Sequence, residues 1–162
     1  MKNIFLLRHG KSSWSDANNS DHDRPLSKRG IRDVPIIAKI INTKCPKLDI
    51  VLCSSSKRTC ETLDLCLPNL SNKPKIKTLS ELYLAHSEMI LKSINENLPG
   101  HKNILVIGHN PGLSDFANEI NSSAPFSFPS SALCHLIANK PDKSKLEFID
   151  FYLDSLTKPK DI

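Results

Sequence analysis

Apolar residues gather in three short runs, each closed by polar or glycine-rich positions. Asn3–Leu7 runs into Arg8-His9-Gly10, Asp49–Cys53 into Ser54-Ser55-Ser56, and Asn103–Ile107 into Gly108-His109-Asn110-Pro111-Gly112. Runs of this length without polar alternation predict strands buried on both faces of one sheet. Between them the pattern shifts to a helical period. Lys28–Ile41 places Ile31, Val34, Ala38 and Ile41 on one face, and further helices are predicted over Lys57–Leu67, Ser87–Leu98 and Leu113–Ile120. Pro35 predicts a helix start near it or a kink. Ala132–Ala138 and Leu146–Leu153 read as two closing strands, antiparallel edge partners joined through an Asn139–Ser144 turn. Strand–helix alternation of this kind predicts an α/β fold: a three-layer sandwich whose mainly parallel central sheet is flanked by helices. No repeat or linker interrupts it, so residues 1–162 are expected to form a single domain.

Composition narrows the class. A chain of 162 residues can bury about 68–70% of its unfolded surface, enough for a core without disulfide or metal staples. The longest apolar stretches, Ile4–Leu7 and Ile104–Ile107, fall far short of the roughly 20 residues of a membrane span. Met1-Lys2-Asn3 leads straight into a strand with no secretory pattern, so the expected location is cytoplasmic. The five cysteines (Cys45, Cys53, Cys60, Cys66, Cys134) are odd in number and lack a Cys-x-x-Cys pair, so they are expected to be reduced and structural, with no metal bound. The net charge of +5 raises a nucleic-acid reading. The clusters Lys73, Lys75, Lys77 and Lys140, Lys143, Lys145 carry no interleaved aromatics and read as solvated loops, so no nucleic-acid partner is expected.

Candidate chemistry collects where the runs end. In open α/β sheets ligands bind beyond the carboxyl ends of the strands. Arg8 and His9 follow the first run, Arg58 opens the helix after the second, and His109 follows the third. Two guanidiniums and two imidazoles at one sheet edge suit a phosphate-sized dianion. His22, His86, His101 and His135 have no such placement. The chain has no Walker loop, G-x-G-x-x-G, His-Glu-x-x-His or G-x-S-x-G stretch, which leaves a histidine nucleophile.

Leu7-Arg8-His9-Gly10 resembles the Arg-His-Gly signature of the histidine phosphatase superfamily, the phosphoglycerate mutase-like enzymes. Ser54-Ser55-Ser56-Lys57-Arg58 with Glu61-Thr62 is similar to its second motif, and Gly108-His109 to its third. The SixA-type phosphohistidine phosphatase branch is resembled more closely, through Arg8–Trp14, Asp23–Gly30 and Gly108–Gly112. The resemblance implies that His9 is the nucleophile, that Arg8 and Arg58 clamp the phosphoryl oxygens, that His109 donates a hydrogen bond to them, and that no metal or other cofactor is needed. Glu81 sits where mutase-like relatives place a proton-donating carboxylate, with Asp21 and Asp23 as rivals; Asp23-Arg24 also reads as a structural ion pair. Ser15 stands where mutases commonly carry a phosphate-contacting Asn, and the Arg58–His109 interval leaves little room for a lid. An open site suits a large substrate, with Phe126 and Phe128 as candidate rim residues.

The implied activity is therefore removal of phosphoryl groups from phosphohistidine on phosphotransfer proteins, and the +5 charge points to an acidic partner. A small-molecule or phosphoserine-type phosphomonoesterase is the rival enzyme, and a noncatalytic phosphoprotein-binding module the rival outside enzymes.

Overall fold

Odd- and even-numbered residues of the apolar runs part to opposite faces of a single sheet. In the computed structural model, which describes all of residues 1–162, six strands take the order β3-β2-β4-β1-β5-β6. They are β1 (Lys2–Arg8), β2 (Ile50–Ser54), β3 (Lys75–Leu79), β4 (Asn103–Gly108), β5 (Leu133–Ala138) and β6 (Tyr152–Thr157). Neighbours pair in parallel except at β5, which runs against both β1 and β6.

Ile4, Leu6, Ile50, Leu52, Ile104 and Val106 pack beneath α3 (Ser87–Asn97) and α4 (Gly112–Ile120). Phe5, Leu7, Val51, Cys53, Leu105 and Ile107 pack beneath α1 (Lys28–Lys44) and α2 (Lys57–Cys66). Burial of each such side chain contributes about 1.5–3 kcal/mol, which explains why the three central runs tolerate no polar alternation. Burial also pushes the thiols of Cys66 and Cys134 up to about 12, so they pack as small apolar groups. No helix is long and apolar enough to cross a membrane.

Serines set the starts of the two helices on the α1/α2 face. Ser27 caps α1 by accepting from the Gly30 N–H, and Ser56 caps α2 by accepting from the Thr59 N–H. The helix at α1 therefore starts at Lys28 and runs unbroken through Pro35. Its buried face is Val34, Ile37, Ala38 and Ile41; Ile31, expected on that face, is 52% exposed.

Two further expectations are corrected. Lys75 and Lys77 lie in β3, an edge strand paired with β2, and not in a loop. A strand with one free edge needs few apolar residues, and edge lysines discourage pairing with other chains. The last strand begins at Tyr152, not Leu146. Leu146 is buried and tied to Asn95 by two hydrogen bonds of 2.8 and 2.9 Å, and Phe148–Asp150 forms a 3-10 turn whose Phe148 packs on Phe116. The antiparallel β5–β6 pairing is as expected. Between β3 and β4 lie only the turn Ser80–Leu82 and α3, with no lid insertion.

Candidate active site

Parallel pairing of β1 with β4 brings the two motif histidines together. Arg8 pairs with Gly108 at the strand ends, and the His9 N–H donates to the Gly108 carbonyl at 3.2 Å. The His9 and His109 rings then stand 5.3 Å apart. Arg58, in the first turn of α2, reaches both: its Nε donates to His9 Nε2 at 3.2 Å, and its Nη2 to His109 Nδ1 at 3.4 Å. Arg8 closes the other side, its Nη1 held by the Phe128 carbonyl at 2.8 Å. Arg8, His9, Arg58 and His109 line one cavity of ≈ 190 Å³, joined by Lys11 and Arg24, with the exposed Trp14 and Leu84 at its rim. No carboxylate lines it.

The loop carrying His9 is fixed from behind. The Gly10 N–H donates to Thr62 Oγ1 at 3.1 Å, and Glu61 accepts from the Leu26 N–H at 3.2 Å. Gly10 lies against Gly30 of α1 so closely that a Cβ on Gly30 would sit 2.5 Å from the Lys11 carbonyl oxygen. Only glycine permits this approach.

Both imidazoles are neutral at pH 7. His9 Nδ1–H donates to the Gly10 carbonyl at 2.7 Å, which leaves the Nε2 lone pair facing the cavity. Burial lowers the His9 pKa to about 4, opposed by the Gly10 bond and helped by the Arg58 charge. His109 is lowered to about 3, by burial first and then by His9 and Arg58. An exposed imidazole titrates near 6.5. Since protonation removes the nucleophilic lone pair, kcat/KM, which reports the free enzyme, should be retained on acidification until pH falls through about 4. Initial rates between pH 3 and 8, corrected for spontaneous hydrolysis, check this; an acid limb near 6.5 contradicts it.

Among the candidate carboxylates, Asp21 is the one brought into contact with Arg58. Asp21 Oδ2 lies 3.0 Å from Arg58 Nη2, its carbonyl accepts from Arg58 Nη1 at 2.6 Å, and its other oxygen pairs with Arg24 at 3.1 Å. The Tyr83 hydroxyl donates to the same carboxylate, and this bond, followed by the Arg58 pair, lowers its pKa to about 2. Asp21 is thus a permanent anion that orients Arg58, and a poor proton donor. Glu81 is not brought to this cluster: it is exposed in the turn after β3 and makes no ion pair or side-chain hydrogen bond, while Tyr83, two residues on, faces His109. Asp23 accepts from Ser20 and leaves Arg24 to Asp21, which corrects the expected Asp23–Arg24 pair.

Ser15 is exposed and bonds Ser13. Phe128 is buried and Phe126 stacks on it, so the rim is Trp14 and Leu84 instead. His22, given no role from sequence, bonds Ser55 at 3.0 Å and stands edge-on to Tyr83. Arg24, expected only as a partner of Asp23, lines the cavity as well. It is buried, its guanidinium lies 3.1 Å from the Trp14 ring centroid, and it also bonds the Ser12 hydroxyl. The available signal was the three-residue spacing from Asp21, which a 3-10 turn over Asp21–Asp23 converts into contact.

A neutral imidazole lone pair among guanidiniums can accept a phosphoryl group while the cations hold its oxygens. Comparisons with known proteins agree with that chemistry. The sequence profile of the Histidine phosphatase superfamily (branch 1) matches residues 4–105. An uncharacterized protein of Mycobacterium tuberculosis is 32% identical over 111 residues, 68% of this chain and 67% of that protein. An uncharacterized chloroplastic protein of Arabidopsis thaliana is 29% identical over 132 residues, 76% of this chain; the match spans 61% of the Arabidopsis protein's length. In fold, the chain is similar to the crystal structure of the putative phosphohistidine phosphatase SixA from Agrobacterium tumefaciens, with a TM-score of 0.81, 24% identity and 98% of both chains covered.

Proposed function

Because this chain belongs to the histidine phosphatase superfamily, we propose that it is a phosphatase that removes phosphoryl groups from phosphohistidine on a protein, with His9 as the covalent carrier. In the first step His9 Nε2 attacks phosphorus and the new P–N bond forms, while the bond to the substrate imidazole breaks with its electron pair returning to that ring, which already carries a proton on its other nitrogen and so leaves as neutral imidazole. In the second, water attacks the phosphoryl group on His9, releasing inorganic phosphate and regenerating the neutral ring. Arg8 and Arg58 hold the nonbridging oxygens in both steps.

The observation that carries the reading is that no carboxylic acid lines the cavity. An alkoxide leaving group needs a proton in the transition state, whereas an imidazole departs with little help. The exposed Trp14 and Leu84 at the mouth give a protein surface something to rest on. The test compares kcat/KM on a phosphohistidine protein with that on alkyl phosphates, in excess EDTA because the guanidiniums supply the positive field. A preference of at least about 100-fold for phosphohistidine is expected; equal values favour a phosphomonoesterase, and loss of turnover with chelator argues for a metal-dependent mechanism.

A basic groove supports an acidic partner. Arg29, Lys158 and Lys160, with Ser127 and Pro129, line a groove of ≈ 280 Å³ in which no acidic side chain takes part. It adjoins the cavity through Pro129–Ser130, and Ser27, bonded to the Lys11 carbonyl, lies two residues before Arg29. Cations beside a site raise encounter rates with acidic partners more than affinity. The double substitution Lys158→Glu, Lys160→Glu should therefore lower kcat/KM on an acidic phosphoprotein about tenfold at low salt and leave a small phosphoramidate unaffected. Parallel losses on both substrates would remove the groove from the account.

A further inference from the structure

We infer that Ser54 is a positioning residue that sets the tautomer of His109, allowing its Nδ1–H to face the cavity when an oxyanion is bound. Ser54 ends β2, is fully buried, and its hydroxyl has one partner, His109 Nε2 at 2.7 Å. A serine hydroxyl can donate or accept, whereas a guanidinium only donates. While Arg58 Nη2 faces His109 Nδ1, the single ring proton of the neutral imidazole belongs on Nε2, donated to Ser54. An oxyanion held by Arg58 reverses the demand, because it offers acceptors alone. His109 then serves it only by carrying its proton on Nδ1, which leaves an Nε2 lone pair buried beneath the sheet edge. Ser54 is the group in place to satisfy that lone pair: its O–H turns from acceptor to donor as the ring proton relocates by exchange with solvent. The hydroxyl thus works in both directions and makes the exchange of tautomers inexpensive. This inference rests on the phosphoryl-binding reading of the cavity, though not on phosphohistidine being the substrate.

Tungstate, a tetrahedral oxyanion, is the probe, and long-range ¹H–¹⁵N correlation spectra of the histidine-labelled protein distinguish the three protonation states of His109. The free protein should show Nε2–H and the tungstate-saturated protein Nδ1–H. An unchanged tautomer, or a doubly protonated ring in the complex, overturns the inference while leaving the phosphoryl site standing; failure of the wild type to bind tungstate overturns both. These spectra need no variant. Ser54→Ala, which removes one buried oxygen, should abolish the tautomer change and weaken tungstate binding about tenfold, the scale of one lost hydrogen bond. In a His109→Asn background the same substitution should cost almost nothing, because Ser54 acts through that ring. A full tenfold loss there would make Ser54 merely structural.

Discussion

His9→Ala is expected to abolish turnover, with kcat reduced at least about 10⁴-fold, as for other enzymes deprived of their nucleophile. The His9 ring donates through Nδ1 to the Gly10 carbonyl and turns Nε2 toward the cavity, where Arg58 Nε donates to it at 3.2 Å. Removing the side chain leaves Arg8, Arg58 and His109 in place, so binding of an oxyanion should survive while transfer does not. Rapid quenching of the wild type with labelled substrate should trap a phosphoramidate, stable in base and labile in acid, on the peptide containing His9. His109→Ala should be slow as well, yet its adduct should still map to His9. An adduct on His109, or near-normal turnover by His9→Ala, would overturn the assignment of the nucleophile.

Arg58→Ala should cost about 10³-fold in kcat/KM, within the range for loss of a cation that stabilises a transferring phosphoryl group. The size of the effect comes from its three-way contact. One guanidinium reaches His9 through Nε, His109 through Nη2 and Asp21 through Nη1 and Nη2. Its loss also leaves the Asp21 carboxylate with Arg24 as its one cationic partner, so its repulsion of the dianion that Arg58 attracts is less fully offset. Removing that cation raises the His9 pKa, since Arg58 contributes to its lowering, so the acid limb of kcat/KM should move upward. Arg58→Lys should rescue little, because an ammonium is a single point and cannot span three partners. Steady-state kinetics across pH on the two variants read both effects; a lysine variant with near-wild-type activity would reduce Arg58 to a simple counter-charge.

Arg8, His9, Arg58 and His109 were legible in the sequence because each follows an apolar run or opens the helix after it, so the period of burial locates them. Tyr83 was hidden, and Asp21 and Arg24 were singled out only as a rival proton donor and as the partner of Asp23, for the opposite reason. Asp21 and Arg24 lie in a polar stretch without a period, Tyr83 stands among apolar neighbours that give it no distinguishing signal, and only tertiary structure brings the Asp21–Asp23 turn under Arg58. The turn in which Glu81 was singled out buries Leu82, exposes Glu81 and brings Tyr83 against His109 and Asp21. The edge strand β3 escaped notice since Lys75 and Lys77 dilute its apolar signal. Leu146, Phe148 and Phe151 resembled part of a strand because they are apolar, yet Leu146 is tied to Asn95 and the two rings pack on Phe116, while Ile149 between them is exposed.

The strand order also dictates when the molecule acquires its chemistry. β1 is synthesised first, yet its two neighbours are β4 and β5, so it has no sheet partner until residue 103 and beyond have left the ribosome. His9 acquires its bond to Gly108, and Arg8 its bonds to Phe128 and Ala132, only then. A nascent chain therefore carries its Arg-His-Gly segment without the arranged site until β4 and β5 have been made. Closing such distant pairs is slow relative to local structure, and competence arrives together with the completed sheet.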